Sequence, residues 1–183
     1  MKQIVFAVAA VGLLAGMGAY MAPASGQDGG ETAPIYGIKV PSGYRDWRLI
    51  SVNHLMGGNV KQVRAQLGND VAIKAAREGK LPFPDGTIIA ALHWNEASSD
   101  ENNKVLASGF PGAGLQSFVA GPPKNGVQFM VKDSKKYAAT GGWGFADFTN
   151  GRLGDLALHA QCFPCHQPAK DHDYVFTRYA PTP

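Results

Sequence analysis

Several stretches of the chain alternate between apolar and polar residues or are rich in strand-forming residues, and both features are typical of β-strands. Strands are predicted at residues 60–67, 87–94, 127–131 and 143–148. Turn residues separate these stretches, and Gly109-Phe110-Pro111-Gly112 and Gly121-Pro122-Pro123 are among the predicted loops. The pattern therefore favours a sheet of short strands joined by turns.

Helical patterns are fewer and shorter. Residues 71–78 carry apolar side chains at helical spacing, between a capping segment at residues 68–70 and the terminating Gly79. A second short helix is predicted at residues 155–161, and residues 96–103 are expected to form a polar loop. The chain is therefore predicted to be a single α+β domain, with a mostly antiparallel β-sheet and a few helices.

The N-terminal segment has the three parts of a secretory signal peptide. Met1-Lys2-Gln3 is a basic start, residues 4–21 are apolar and uncharged, and Ala22-Pro23-Ala24 has the small-x-small form of a cleavage site. An uncleaved membrane anchor is the alternative, because the apolar run is close to the lower limit of about 18 residues for a membrane span. We expect cleavage, and hence no membrane attachment of the mature chain. The predicted organisation is a signal peptide at 1–24, a flexible leader at 25–40 and a folded domain at 41–183.

The charge of the chain is small. The formal net charge is +3, which includes Lys2 of the signal peptide. No block of lysines and arginines stands out, so nothing points to nucleic acid or an anionic membrane surface as a partner. One charged turn, expected to be solvated, comprises Lys132, Asp133, Lys135 and Lys136.

Cys162-Phe163-Pro164-Cys165-His166 has the Cys-x-x-Cys-His spacing used to attach a c-type haem. Two thiols three positions apart can add to the two vinyl groups of one haem, and the adjacent histidine can supply an imidazole nitrogen to the iron. These are the only two cysteines of the chain. A redox disulfide, half of a zinc site and a structural bridge are the alternatives. Haem attachment agrees with export, because c-type haem is attached on the far side of the bacterial inner membrane, so we expect a periplasmic protein.

The position of the motif near the C-terminal end limits which residue could be the second axial ligand of the iron. No methionine follows His166, and the candidates for a second axial ligand are Met56, Met130, His54, His93, His159 and His172. His159 would share one side of a continuous helix with His166, but Pro164 predicts that the helix breaks there. None of these residues is marked as a ligand by the sequence. An open or weakly occupied sixth position is therefore favoured, which suits small-molecule binding or chemistry at the iron.

Five segments in this order resemble the cytochrome P-460 family, which includes cytochrome c'-beta. They are Tyr44-Arg45-Asp46-Trp47, Phe83-Pro84-Asp85-Gly86-Thr87, Val131-Lys132-Asp133-Ser134, Gly142-Trp143-Gly144-Phe145, and the haem motif followed by Asp173-Tyr174-Val175-Phe176-Thr177. The resemblance implies a mostly antiparallel β fold, often a homodimer, a periplasmic setting and one five-coordinate c-type haem. By motif match, Cys162 and Cys165 bind the haem covalently and His166 is the proximal iron ligand.

One residue departs from the family pattern. The family's enzymes oxidise hydroxylamine and nitric oxide and carry a lysine, cross-linked to the haem, in the strand where Ala91 stands here. The resemblance therefore favours the branch that binds nitric oxide or carbon monoxide at an apolar face, for which Phe83, Phe110, Phe118 and Phe129 are candidates. An oxidoreductase acting on hydroxylamine or nitric oxide, and a six-coordinate electron carrier, are the alternatives. A redox partner protein is expected.

Overall fold

Six antiparallel strands form one sheet in the computed structural model, which describes residues 33–149 and 151–181. The strands follow one another across the sheet in chain order, so that each pairs with the strand next to it in sequence. Their bounds are β1 Arg48–Gly57, β2 Val60–Gly68, β3 Ile88–Ser98, β4 Phe118–Lys132, β5 Trp143–Thr149 and β6 Arg152–Leu153. The predicted α+β class, with a mostly antiparallel sheet in one domain, is confirmed.

Three α-helices accompany the sheet: α1 at Asp70–Arg77, α2 at Asp100–Gly109 and α3 at Leu156–His166. Short 3₁₀ helices lie at Tyr44–Asp46, Ala138–Thr140 and Gln167–His172. Helix α1 begins where predicted, because the side chain of Asn69 accepts a hydrogen bond from the amide of Ala72. Among the described residues, no helix is long and apolar enough to cross a membrane.

Two predictions about loops are wrong. Residues 96–103 divide between the end of β3 and helix α2, which starts with Ser99 as its N-cap and has no buried residue. A helix that buries no face leaves no apolar spacing in the sequence. Strand β4 runs through Pro122 and Pro123, where its register with β3 shifts, and such bulges are where a strand tolerates proline.

The predicted signal peptide at 1–24 lies outside the described residues. The last part of the predicted leader, residues 33–40, packs against the core. Ala33, Tyr36 and Ile38 are buried there, and the carbonyl of Tyr36 accepts a hydrogen bond from the hydroxyl of Tyr137. These apolar side chains cover the sheet, so this part of the leader is ordered by the area that it buries.

Candidate functional site

A cavity of about 360 Å³ lies between one face of the sheet and the C-terminal part of the chain. Cys162, Cys165 and His166 all line it, on the side formed by α3. The opposite side is the sheet face of β1 to β5, and includes Asn53, Arg64, Gln66, Ala91, His93 and Asp147. The structure therefore brings the three residues of the predicted haem motif together at one cavity.

Helix α3 presents the motif on one face, because residues three and four apart on a helix are neighbours. The helix starts at the N-cap Asp155, whose side chain accepts a hydrogen bond from the amide of Leu158. The prediction that Pro164 breaks the helix is wrong, since the helix continues to His166. The proline lies in the last turn, where it removes a single amide donor, and Cys162 and Phe163 pack against the core on the same turn.

The imidazole of His166 is held in one orientation. Its Nδ1 lies 2.7 Å from the carbonyl oxygen of Tyr174, to which it donates as the neutral ring. The rings of Phe145 and Phe176 have their centres 5.0 and 4.9 Å from the imidazole centre. Burial lowers the pKa of His166, although the bond to Tyr174 acts in the opposite direction. A neutral imidazole with Nδ1–H bound to a carbonyl leaves Nε2 as the metal-binding nitrogen.

A buried ion pair fixes the loop that supplies this carbonyl. Asp173 and Tyr174 have φ angles of 53° and 64°, a left-handed conformation that needs support in residues other than glycine. Nζ of Lys132 lies 2.7 and 2.9 Å from the carboxylate oxygens of Asp173, which also accepts a 2.8 Å hydrogen bond from the amide of Phe83. The prediction of a solvated Lys132 is therefore wrong: the side chain is 5 % exposed, because it pairs with Asp173 inside the protein.

The pKa of the Cys162 thiol helps to distinguish haem attachment from a redox dithiol. Burial, reinforced by the nearby carboxylate of Asp147, raises the pKa of the Cys162 thiol to about 11. Reactive redox dithiols instead have a lowered thiol pKa, because the thiolate is the nucleophile. No group of three or more His, Cys, Asp or Glu residues that could hold a metal ion exists in the described part of the chain. The raised pKa of Cys162 is thus unlike that of a reactive redox dithiol.

The structure separates the candidate second axial ligands. His93 and Met130 line the cavity. His159 is fully buried outside it, with Nδ1 donating to the carbonyl of Asp155 and Nε2 accepting from the amide of Asp147. The others lie outside the cavity lining: His54 interacts with Glu96, and Met56 and His172 are exposed.

The four candidate phenylalanines also lie in different places relative to the cavity. Phe129 lines the cavity, Phe83 packs on Trp143 beside a second cavity, and Phe110 is exposed. The side chain of Phe118 is outside the described residues. The sheet face of the cavity is more polar than the apolar face expected from the resemblance, and Asn53, Arg64 and Gln66 were not predicted as site residues. The alternation in β2 could have identified the last two, since Gln62, Arg64 and Gln66 occupy every second position.

The residues present fit a covalently held haem. The motif face of α3 supplies two thiols and an imidazole whose Nδ1 is bonded to a backbone carbonyl, which directs Nε2 towards a metal. Apolar walls for a flat macrocycle come from Ile89, Met130, Phe145, Val175 and Phe176. Buried polar atoms on the sheet side, including Nε2 of His93, have no partner among the described residues, as expected for a site that receives another polar group.

Comparison with known proteins gives one family. A family model described as Cytochrome P460 matches residues 41–177, which includes the sheet, the cavity and the whole motif. A search of curated proteins finds no match to the chain.

Proposed function

Because the chain belongs to the cytochrome P460 family, which makes it a haem cytochrome, we propose that it is an exported, periplasmic protein with one covalently attached c-type haem. In this proposal Cys162 and Cys165 hold the haem and His166 binds the iron on one side. The other side is open to nitric oxide or a similar small ligand. The haem supplies an iron centre that binds small ligands and changes oxidation state.

The observation that carries the proposal is the fixed imidazole of His166 beside the two thiols. A histidine whose Nδ1–H is bound to a backbone carbonyl is already in the tautomer and orientation that a metal needs, so little is lost on ligation. The raised pKa of Cys162 supports the same reading, because the thiol is not activated for disulfide chemistry.

The open sixth position is supported by the distribution of possible ligands. Of the six histidine and methionine candidates, only His93 and Met130 line the cavity. Met130 is half-buried and packs against the core cluster, which is the commonest role of a methionine. A six-coordinate electron carrier would need one of these two residues on the iron.

A second function is favoured by the polar face of the cavity. An oxidoreductase acting on hydroxylamine or nitric oxide would need groups that hold a polar substrate, and Asn53, Gln66 and His93 offer such groups. Ala91 lines the cavity but has no amine to link to the haem. Such an enzyme would work without the cross-link and would pass electrons to a redox partner protein. Following the resemblance, we propose a homodimer for either function, testable by analytical ultracentrifugation.

Spectroscopy of the protein produced in the periplasm with haem-attachment machinery tests the proposal. We expect a covalent haem that survives denaturation, a high-spin reduced spectrum, and a change on adding carbon monoxide. Replacing both cysteines by alanine should abolish covalent attachment. A low-spin spectrum indifferent to carbon monoxide would replace the open site with a filled one and favour electron transfer. Turnover of hydroxylamine with an artificial electron acceptor would favour the enzyme.

A further inference from the structure

A second cavity, with a volume of about 210 Å³, lies between the end of α1 and the C-terminal segment of the chain. None of the three motif residues lines it, so the proposed haem site does not use it. Its floor is apolar, since the lining side chains of Ile50, Ala75, Ile89 and Val175 are only 2–5 % exposed. The small side chains of Ala75 and Ala76, both on α1, leave the space open.

The entrance of this second cavity is positively charged. Lys80 and Arg178 line the cavity, and both are exposed. Neither forms an ion pair within the described parts of the chain, whereas Lys74 on α1 pairs with Glu78. No aspartate or glutamate is among the described residues that line the cavity. The second cavity therefore combines an apolar floor with unpaired cations at its entrance.

This combination limits the kind of ligand that fits. An apolar floor is stabilised when a hydrocarbon group covers it, and an inorganic anion would leave the floor empty. The two cations favour one negative charge at the entrance. At about 30 Å³ for a group the size of a water molecule, the cavity holds a chain of about seven carbons. A short hydrocarbon chain that ends in a carboxylate meets all of these conditions.

The second cavity shares a wall with the haem cavity. Val175 and Thr177 line both cavities. Val175 lies between Tyr174, whose carbonyl oxygen is bonded to Nδ1 of His166, and Phe176, whose ring packs on the imidazole. A ligand in the second cavity therefore contacts the backbone segment that orients the proposed iron ligand.

We propose that the second cavity binds a small amphipathic carboxylate of about eight carbons, and that this binding changes the environment of His166 through the shared wall. The carboxylate pairs with Lys80 and Arg178, and the hydrocarbon chain covers the apolar floor. The binding is independent of the proposed function, whereas the effect on His166 rests on the proposed haem. The iron site would then respond to a molecule that does not enter the haem cavity.

Calorimetric titration of the haem-loaded protein with sodium octanoate tests the binding. Hexanoate, which is two methylenes shorter, should bind about fifteenfold more weakly, because each buried methylene is worth a factor of about four. Lys80→Gln and Arg178→Gln should each weaken octanoate binding about threefold, the value of an exposed ion pair. Lys135→Gln removes the same charge at an exposed position outside the cavity, and should leave the dissociation constant unchanged.

A variant that fills the space tests whether the cavity itself is the site. Ala76 is only partly buried, and Ala76→Leu should reduce octanoate affinity at least tenfold by occupying the cavity from α1. The binding proposal is overturned if the wild type gives no heat of binding. Equal affinities for octanoate and hexanoate, or for the wild type and Ala76→Leu, would mean ion pairing at the surface only and also overturn it. If Ala76→Leu folds poorly, the glutamine variants decide, because both replace exposed side chains.

The effect on His166 has a separate measurement. Octanoate should shift the iron–histidine stretching band in the resonance Raman spectrum of the reduced wild type, and should leave the band of Ala76→Leu unchanged. An unchanged band in the wild type at saturating octanoate would overturn the effect on His166. An equal shift in both proteins would place octanoate in the haem cavity and overturn it as well. A protein without haem would contradict the proposed function alone, since the calorimetric titration does not depend on the iron.

Discussion

The Lys132–Asp173 pair should be the most sensitive point of the domain outside the cavity. Replacing Lys132 by methionine keeps much of the side-chain volume but removes the cation, and leaves the carboxylate of Asp173 buried with the amide of Phe83 as its remaining partner. Removing one partner of a buried ion pair costs about 3–5 kcal/mol. For a domain of this size that corresponds to a fall of roughly 6–20 °C in Tm.

Loss of the Lys132–Asp173 pair should also affect the proposed iron ligand, His166. Asp173 supports the left-handed backbone at Tyr174, and the carbonyl of Tyr174 holds the imidazole of His166. We therefore expect Lys132→Met to alter the iron–histidine stretching band in the resonance Raman spectrum of the reduced protein. Replacing Lys135, which is exposed, by methionine should change neither stability nor spectrum.

Chemical denaturation of the haem-loaded protein measures the effect on stability. The double variant Lys132→Met with Asp173→Leu removes both charges, and should recover part of the loss because no unpaired charge remains buried. If Lys132→Met lowers the free energy of unfolding by less than about 1 kcal/mol, the reasoning is refuted. An effect that small is typical of an exposed surface salt bridge, not of a buried ion pair. The reasoning would also be refuted if adding Asp173→Leu lowered the free energy of unfolding of Lys132→Met further instead of restoring part of it.

Three further predictions concern single residues. His166→Ala should keep the covalent haem and change its spin state and ligand binding, whereas His172→Ala should leave the spectrum as it is; an unchanged spectrum in the first would remove His166 as the ligand. Burial lowers the pKa of His93 to about 4 from its ordinary 6.5, so its contribution to stability is complete above pH 6.5 and declines as the pH falls towards 4. Unfolding titrations should show a weaker decline in His93→Gln, and identical pH profiles would contradict this. Gly126→Ala should cost several kcal/mol more than Gly151→Ala, because both have a φ of 73° but the new Cβ would lie 1.8 Å from a backbone oxygen only at the first; similar melting temperatures would be the contrary result.

The sequence was sufficient for features that depend on local order. Alternation predicted β2, because a half-buried strand needs that period. Strand-forming residues predicted most of β3 and β5 and the C-terminal end of β4. The spacing of Cys162, Cys165 and His166 indicated the haem motif, since the chemistry itself requires it.

Features set by distant contacts were not predictable in the same way. Lys132 looks like part of a charged turn in the sequence, and only its partner 41 residues later explains its burial. Tyr36 and Ile38 gave no helix or strand pattern, yet they pack against the core. The cavity face combines residues from five strands, so the unpartnered atoms of Asn53, Gln66 and His93 become a group only after the sheet has formed.

The chain-order arrangement of the six strands has a consequence for how the protein assembles. Every strand pairing joins segments that are close in sequence, and such contacts form early and fast because the loops that they close are short. Helix α3 follows the same rule, because it packs on β5, the nearest long strand before it in the chain. The segment after α3 is different, since it returns to the first strand, where the amide of Ala180 donates to the carbonyl of Ile50. We therefore expect the sheet and α3 to form first and the C-terminal segment to dock last. Haem loading would then take place on a chain whose sheet and motif helix are in place and whose C-terminal segment has yet to dock.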